Sequence, residues 1–202
     1  MTLKEFDDGY RQQYGLVCGC DEAGRGPLAG DVYAAAVIFD KDTVIEGIND
    51  SKKLTEKKRE KLFDEIKEKA AYWAIMTASV EEIERINILN CAMLAMKRAV
   101  LELGATPDIC LIDGNKTPDL DLRCEAVVKG DAKSMSIAAA SILAKVARDR
   151  YMLKMAQEYP GYLFEKHKGY GTKAHYEMID KYGECPIHRH SFLKKYYEKR
   201  SG

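Results

Sequence analysis

The sequence predicts an α/β protein built on a mixed β-sheet. Three strand-like apolar runs lie close together in the first part of the chain, and helical and strand-like segments alternate after them. The chain has 202 residues, of which 46% are hydrophobic, so it is long enough for one domain with a sizeable core. These observations favour a single sheet with helices packed against it.

Five segments read as strands because they are short apolar runs bounded by turn residues. They cover residues 15–21, 31–39, 71–80, 107–114 and 122–128. Only about eight residues separate the last two segments. That length favours a hairpin, since a crossover between parallel strands takes a dozen or more residues.

Apolar residues at helical spacing, together with capping signals, predict the helices. The predicted helices cover residues 55–70, 80–86, 89–103, 132–158, 172–183 and 191–200. Thr55 is the predicted N-cap of the first, and Ser79 with Glu82 forms a capping box for the second. Asp131 is the predicted N-cap of the long helix, which must end near Pro160.

The composition indicates a reduced compartment and no membrane segment. No apolar run approaches the roughly 20 residues of a membrane span, and the polar N-terminus lacks a signal-peptide pattern. The cysteines lie in apolar runs and are expected to be free thiols; a zinc site at Cys18 and Cys20 would lack a second ligand pair. We therefore expect a cytoplasmic protein, and we expect it to be a monomer.

The charge is distributed unevenly although the net charge is zero. Residues 1–128 contain 17 Lys and Arg against 24 Asp and Glu, whereas residues 129–202 contain 15 against 8. A locally basic surface attracts phosphates even when the overall charge is balanced. A polar helical tail rich in lysine would give the same count, so both interpretations stay open at this point.

Four acidic residues lie where strands or helices begin or end. Asp21 and Glu22 follow the first strand in "CGCDEAGRGPLAG", Asp113 ends the strand "CLID", and Asp131 precedes the long helix. Strand interiors disfavour such residues, although Asp113 alone could be a turn acid that accepts a backbone hydrogen bond. Carboxylates suit Mg²⁺ or Mn²⁺, and two such ions about 4 Å apart promote phosphodiester hydrolysis.

A family resemblance is carried by six motifs that occur in a fixed order. They are "DEAGRGPLAG", "NDSKKL", "LIDGN", "KGDAKSMSIAAASILAKVARDR", "HKGYGT" and "HRHSF". Together they are similar to bacterial ribonuclease HII over nearly the whole chain, from about residue 15 to residue 192. One departure is Asp31, which stands where the family usually has proline; it would lie near the rim of the site or face solvent.

The resemblance implies an RNase H-like fold. This fold has a mixed five-stranded sheet flanked by helices and a small helical C-terminal extension. It divides the chain into a catalytic domain over residues 1–160 and a helical region over residues 161–202 that carries the Tyr170 loop. In this fold the last two strands run parallel, in contrast to the hairpin favoured by the short connection.

The resemblance also implies the site residues. The catalytic, metal-binding acids match Asp21, Glu22, Asp113 and Asp131, with Mg²⁺ or Mn²⁺ as cofactor and two ions in the active complex. The substrate-binding residues match Gly24, Arg25, Gly26, Lys52 and Tyr170. In the family, the backbone around the glycines reads the ribose 2′-hydroxyl, the lysine contacts a phosphate, and the tyrosine packs on the sugar at the RNA–DNA step.

The function implied is that of an endoribonuclease that removes RNA from DNA in replication and repair. It would hydrolyse RNA in RNA–DNA hybrids and at single ribonucleotides in duplex DNA. Cleavage on the 5′ side of the ribonucleotide would leave a 3′-hydroxyl and a 5′-phosphate. Two alternatives remain at this point: another nuclease of the same fold, and a non-catalytic nucleic-acid-binding module.

Overall fold

The computed structural model describes residues 1–49, 51 and 54–201, in which five strands and eight α-helices are found. The strands are β1 (Val17–Ala23), β2 (Val32–Ile38), β3 (Tyr72–Ala78), β4 (Ile109–Asp113) and β5 (Cys124–Val127). The helices are α1 (Leu3–Tyr14), α2 (Glu56–Lys69), α3 (Val80–Ile86), α4 (Ile88–Leu101), α5 (Met135–Glu158), α6 (Phe164–His167), α7 (Lys173–Tyr182) and α8 (His190–Ser201). None of these helices is long and apolar enough to cross a membrane.

The sheet has the strand order β3-β2-β1-β4-β5. Strands β1, β2 and β3 are antiparallel neighbours, whereas β4 and β5 run parallel to β1. The mixed five-stranded sheet is therefore confirmed, and the hairpin between the last two strands is wrong. Because β4 has only five residues, the ten residues between β4 and β5 are enough, when extended, to return to its start.

Helices α4 and α5 cover opposite faces of the sheet. Cys18 and Cys20 point toward α4 and pack with its buried side chains in an apolar cluster. All six cysteines are free thiols, as expected. On the other face, a side chain at Gly19 would collide with the backbone of Ser136 and Ile137. Glycine therefore allows β1 to lie directly against the first turn of α5.

The helix starts confirm two predictions and correct a third. Thr55 accepts a hydrogen bond from its helix, and Ser79 and Glu82 form the predicted capping box. The long helix α5, however, begins at Met135 with Ser134 as its N-cap. Asp131 lies in a separate 3-10 turn, so its prediction as the N-cap is wrong, because the extended backbone of Ser134 (ψ 132°) separates that turn from the helix.

The first helix, α1, was not predicted, although Thr2 and Glu5 form a capping box that signals it. It supplies Asp7, which is fully buried, and whose Oδ2 accepts hydrogen bonds from the backbone N–H (2.8 Å) and hydroxyl (2.7 Å) of Ser136. Among the described residues, no group lies within hydrogen-bond distance and angle of the other oxygen, Oδ1, and burial raises the pKa of this carboxyl. Asp7 thus satisfies a free N–H at the start of α5 from another helix.

Three buried histidines hold the segment between α6 and α7. His175 stacks on His167 at 4.3 Å, and its Nε2 lies 3.0 Å from Nε2 of His188. The Nδ1 of His175 lies 3.0 Å from the carbonyl oxygen of Tyr170, to which it must donate. Its Nε2 is then an acceptor for the N–H of His188, whose Nδ1 accepts from the backbone N–H of Cys185.

His167 accepts from the backbone N–H of Gly169 at Nδ1 and donates from Nε2 to the carbonyl oxygen of Tyr162, so all three imidazoles are neutral in this arrangement. Burial lowers the pKa of His167 and His188, and lowers that of His175 to about 4. Glu165 faces His167 and Glu184 faces His188, and both oppose this shift, but desolvation is the larger cause. The neutral cluster fixes the loop that carries Tyr170.

We predict that Asp7→Ala lowers the free energy of unfolding by about 1–3 kcal/mol, because it leaves buried donors of Ser136 without an acceptor. Urea denaturation measures this change. The matched control is the neighbouring Asp8→Ala, which removes only partly exposed ion pairs with Lys4 and Arg11 and is expected to cost less than about 1 kcal/mol. Equal losses in the two variants would contradict the role of Asp7.

We predict that stability falls as the pH is lowered from about 6.5 toward about 4, because the unfolded chain binds protons on these histidines before the native state does. The stability that the neutral histidines contribute is fully present above their unfolded pKa of about 6.5. It is lost as the pH falls toward the folded pKa. Urea denaturation at about pH 7 and about pH 5 tests this. His175→Gln should flatten the dependence, whereas the exposed His190→Gln should not; a wild-type stability independent of pH would contradict the prediction.

Candidate active site

A cleft of about 520 Å³ opens at the carboxyl end of β1. It reaches both faces of the sheet, since α5 lines one side and the start of α4 and of α8 lines the other. The lining residues outside residues 21–26 are Ser51, Ile88, Ser141, Lys145, Tyr170 and Phe192. The predicted Asp21, Glu22, Gly24, Arg25, Gly26 and Tyr170 are all brought together here, whereas Lys52 lies outside the described residues.

The parallel pairing of β1 with β4 aligns two of the acids. Cys20 lies opposite Ile112, so the next residue of each strand is Asp21 or Asp113. Asp113 Oδ1 accepts hydrogen bonds from the backbone N–H groups of Gly130 (2.6 Å) and Asp131 (3.4 Å). Asp113 is therefore a turn acid as well as a strand-end acid, and it draws the 3-10 turn with the buried Asp131 toward β1.

The adjacent acids Asp21 and Glu22 point to opposite faces of the sheet, as successive strand residues do. Asp21 Oδ1 accepts a hydrogen bond from the backbone N–H of Glu22 at 2.7 Å. The guanidinium of Arg25 donates to the carboxylate of Glu22 at 3.0 Å, with half of the arginine side chain exposed. Arg25 thus balances the charge of Glu22.

Negative charge accumulates around Asp21. Burial raises the pKa of this carboxyl well above its usual range, the charges of Glu22 and Asp113 raise it further, and a hydrogen bond from Ser141 opposes the shift. Oxygen donors that repel one another in a buried place fit a hard divalent cation. In the part of the chain that the structure describes, however, no three His, Cys, Asp or Glu side chains are close enough to hold an ion, and neither Asp113 nor Asp131 lines the cleft.

The glycine turn and Tyr170 face each other across the cleft. A Cβ atom at Gly26 would lie 3.7 Å from Cε1 of the Tyr170 ring, and 43% of Tyr170 is exposed. The two segments are joined by a hydrogen bond from the backbone N–H of Leu28 to the carbonyl oxygen of Gly169 at 2.8 Å. The expected surface position of Tyr170 agrees with its place in this cleft.

Four cleft residues were not predicted from the sequence: Lys145, Ile88, Phe192 and Ser51. Lys145 follows Ser141 by one turn of α5, so helical spacing is the signal that points to it. Its Nζ pairs with Asp149 at 2.6 Å and lies 5.9 Å from the centre of the Tyr170 ring. It places an ammonium group, paired with Asp149, on the α5 wall of the cleft.

Asp31 lies neither free in solvent nor on the cleft wall. Its carboxylate accepts a hydrogen bond from the backbone N–H of Val80 at 3.0 Å, at the start of α3. In α5, Ser136 and Ser141 are buried and hydrogen-bonded to Asp7 and Ser51, and Ser141 also lines the cleft.

Known proteins resemble this chain over most of its length. The family model described as Ribonuclease HII matches residues 18–195. A ribonuclease HII from Idiomarina loihiensis is 61% identical over 177 residues, which cover 88% of this chain and 95% of the relative. The ribonuclease HII of Caldicellulosiruptor bescii is 58% identical over 192 residues, covering 95% and 91%.

The fold comparison leads to the same family. The crystal structure of ribonuclease H2 from Pyrococcus horikoshii superposes with a TM-score of 0.71 at 28% identity, and the match covers 87% of this chain and 93% of that one. The RNase H-like sheet with its helical C-terminal extension is therefore confirmed. The family model matches most of the chain, and the two relatives compared by sequence are both named ribonuclease HII. The chain therefore belongs to the ribonuclease HII family and is an endonuclease.

Proposed function

We propose that this ribonuclease cleaves RNA in RNA–DNA hybrids and on the 5′ side of single ribonucleotides embedded in duplex DNA, leaving a 3′-hydroxyl and a 5′-phosphate. The observation that carries this proposal is the cleft itself. It combines strand-end carboxylates with a glycine turn and an exposed tyrosine that lines the same cleft close to Gly26. A non-catalytic binding module has no need of repelling, buried carboxylates.

The carboxylates of Asp21, Glu22, Asp113 and Asp131 would hold Mg²⁺ or Mn²⁺, with two ions in the active complex. When bound, such ions supply an activated water and stabilise the leaving oxygen of a phosphodiester. The raised pKa of Asp21 supports this assignment, because a nearby cation would relieve the repulsion that raises it.

The remaining residues bind and orient the nucleic acid. The backbone of Gly24 and Gly26 can approach a sugar closely and read its 2′-hydroxyl, which only RNA has. Arg25 is held by Glu22 toward the cleft, and Lys52 would contact a phosphate. Tyr170 would pack on the deoxyribose that follows the ribonucleotide. A monomeric state, a cytoplasmic location and the division at residue 160 stay predictions.

We predict that Asp113→Asn lowers metal-dependent cleavage at least about 100-fold, because a ligand charge is lost. The amide oxygen can still accept from Gly130 and Asp131, so the fold should be kept. The measurement is cleavage of a DNA duplex with one ribonucleotide, in Mg²⁺ or Mn²⁺ and with a chelator.

The matched control is Asp108→Asn at the other end of β4. Asp108 is exposed and also accepts a backbone hydrogen bond, from Leu16 at 2.7 Å, but lies away from the cleft. Unchanged cleavage in Asp113→Asn would show that the acids are wrongly assigned. A wild-type protein that cuts neither this duplex nor a long RNA–DNA hybrid would refute the proposed function.

We predict that Tyr170→Ala lowers kcat/KM for the single-ribonucleotide duplex by roughly tenfold or more and affects duplex affinity less, because stacking on one sugar is lost while the phosphate contacts stay. Steady-state kinetics and a binding titration measure the two effects. Tyr182→Ala, another half-exposed tyrosine of the C-terminal region, is the control and should change neither. Equal losses of affinity and turnover in Tyr170→Ala would count against its role at the junction.

A further inference from the structure

Two arginines are buried beneath the cleft. Arg148 of α5 is 1% exposed, and Arg189, immediately before α8, is 0% exposed. Among the described residues, neither forms an ion pair with a carboxylate; both guanidinium groups donate to backbone carbonyl oxygens instead. Burying a charged guanidinium costs desolvation energy even when its donors are satisfied. We therefore expect the two arginines to have a role beyond stability.

Arg189 fixes the glycine turn. It donates to the carbonyl oxygens of Gly24 (2.7 Å), Arg25 (3.2 Å), Pro27 (2.8 Å) and Gly30 (2.6 Å). All four acceptors belong to the segment that follows β1. In the described part of the chain, the Arg189 side chain therefore shapes the turn without a hydrogen bond to the Tyr170 loop.

Arg148 contacts both segments. Its Nε and Nη2 donate to the carbonyl oxygens of Asp31 (3.2 Å) and Ala29 (3.0 Å), and its Nη1 donates to that of Lys168 at 3.1 Å. A side chain at Gly24 would collide with its Nε, and its guanidinium carbon lies 5.9 Å from the centre of the Tyr170 ring.

We propose that Arg148 is a positioning residue that fixes Tyr170 relative to the Gly24–Gly26 turn, and thereby sets the preference for the RNA–DNA junction. This inference rests on the proposed function, in which the turn reads the ribose and Tyr170 reads the next sugar. A Cβ atom at Gly26 would lie 3.7 Å from the Tyr170 ring, so the two loops approach closely and a small shift of one changes the space available to the sugar. Misplacement by about 1 Å can cost about 100-fold in rate.

The experiment compares kcat/KM on two substrates: a DNA duplex with one ribonucleotide, and a long RNA–DNA hybrid. Arg148→Lys is expected to lower the first by roughly tenfold and the second by less than about threefold, because only the first requires Tyr170 to meet a deoxyribose. The ratio of the two values does not depend on the fraction of folded enzyme. A loss of stability alone would therefore leave it unchanged.

Arg189→Lys is the matched control, because it also removes a buried guanidinium held by carbonyls. It should lower both values by the same factor, since the ribose-reading turn serves both substrates. Arg148→Lys in a Tyr170→Ala background should have no further effect on the ratio. An unchanged ratio in Arg148→Lys, or the same ratio change in Arg189→Lys, would overturn the proposal.

Gly169→Ala tests the proposal if Arg148→Lys does not fold. A Cβ at Gly169 (φ 84°) would lie 2.6 Å from the carbonyl oxygen of Ala29, so it pushes the two segments apart from the other side. The same fall in the substrate ratio is expected, and an unchanged ratio overturns the proposal. If the wild-type enzyme cuts neither substrate, it is the proposed function that fails, independently of these variants.

Discussion

The close contact between β1 and the start of α5 determines where the site lies. It depends on Gly19, since any side chain there would meet the backbone of Ser136 and Ile137. Asp7 reinforces the contact from α1 by satisfying the N–H of Ser136. With these two elements fixed, Asp21 at the end of β1 reaches the hydrogen bond of Ser141, further along α5.

The same contact explains how acids from distant parts of the chain become neighbours. β4 lies parallel to β1 in a register that sets Asp113 beside Asp21. Asp113 then holds the turn before α5 through the N–H groups of Gly130 and Asp131. By stabilising this turn, Asp113 also brings the carboxylate of Asp131 toward the site. The same hydrogen bonds therefore serve its structural role and its proposed catalytic role.

Local patterns predicted much of this structure, and long-range contacts account for what they missed. Thr55 and Ser79 are N-caps that can be recognised from the residues of the following helical turn, and acids at the end of an apolar run are recognised in the same local way. The register that aligns Asp21 with Asp113 has no local signal. Asp131 has the properties of an N-cap, but its backbone is drawn to Asp113, and Ser134 takes that place.

The buried arginines show how the molecule separates its charges. Had Arg148 or Arg189 paired with Asp21, this carboxylate would have a counter-ion from the protein, as Glu22 has in Arg25. Instead, both guanidinium groups are satisfied by carbonyl oxygens of the surrounding loops. The pKa of Asp21 stays raised by burial and by Glu22 and Asp113, which means that its negative form lacks compensation. The fold thus uses its buried cations to shape the loops, and under the proposed function a metal ion would supply the positive charge that Asp21 lacks.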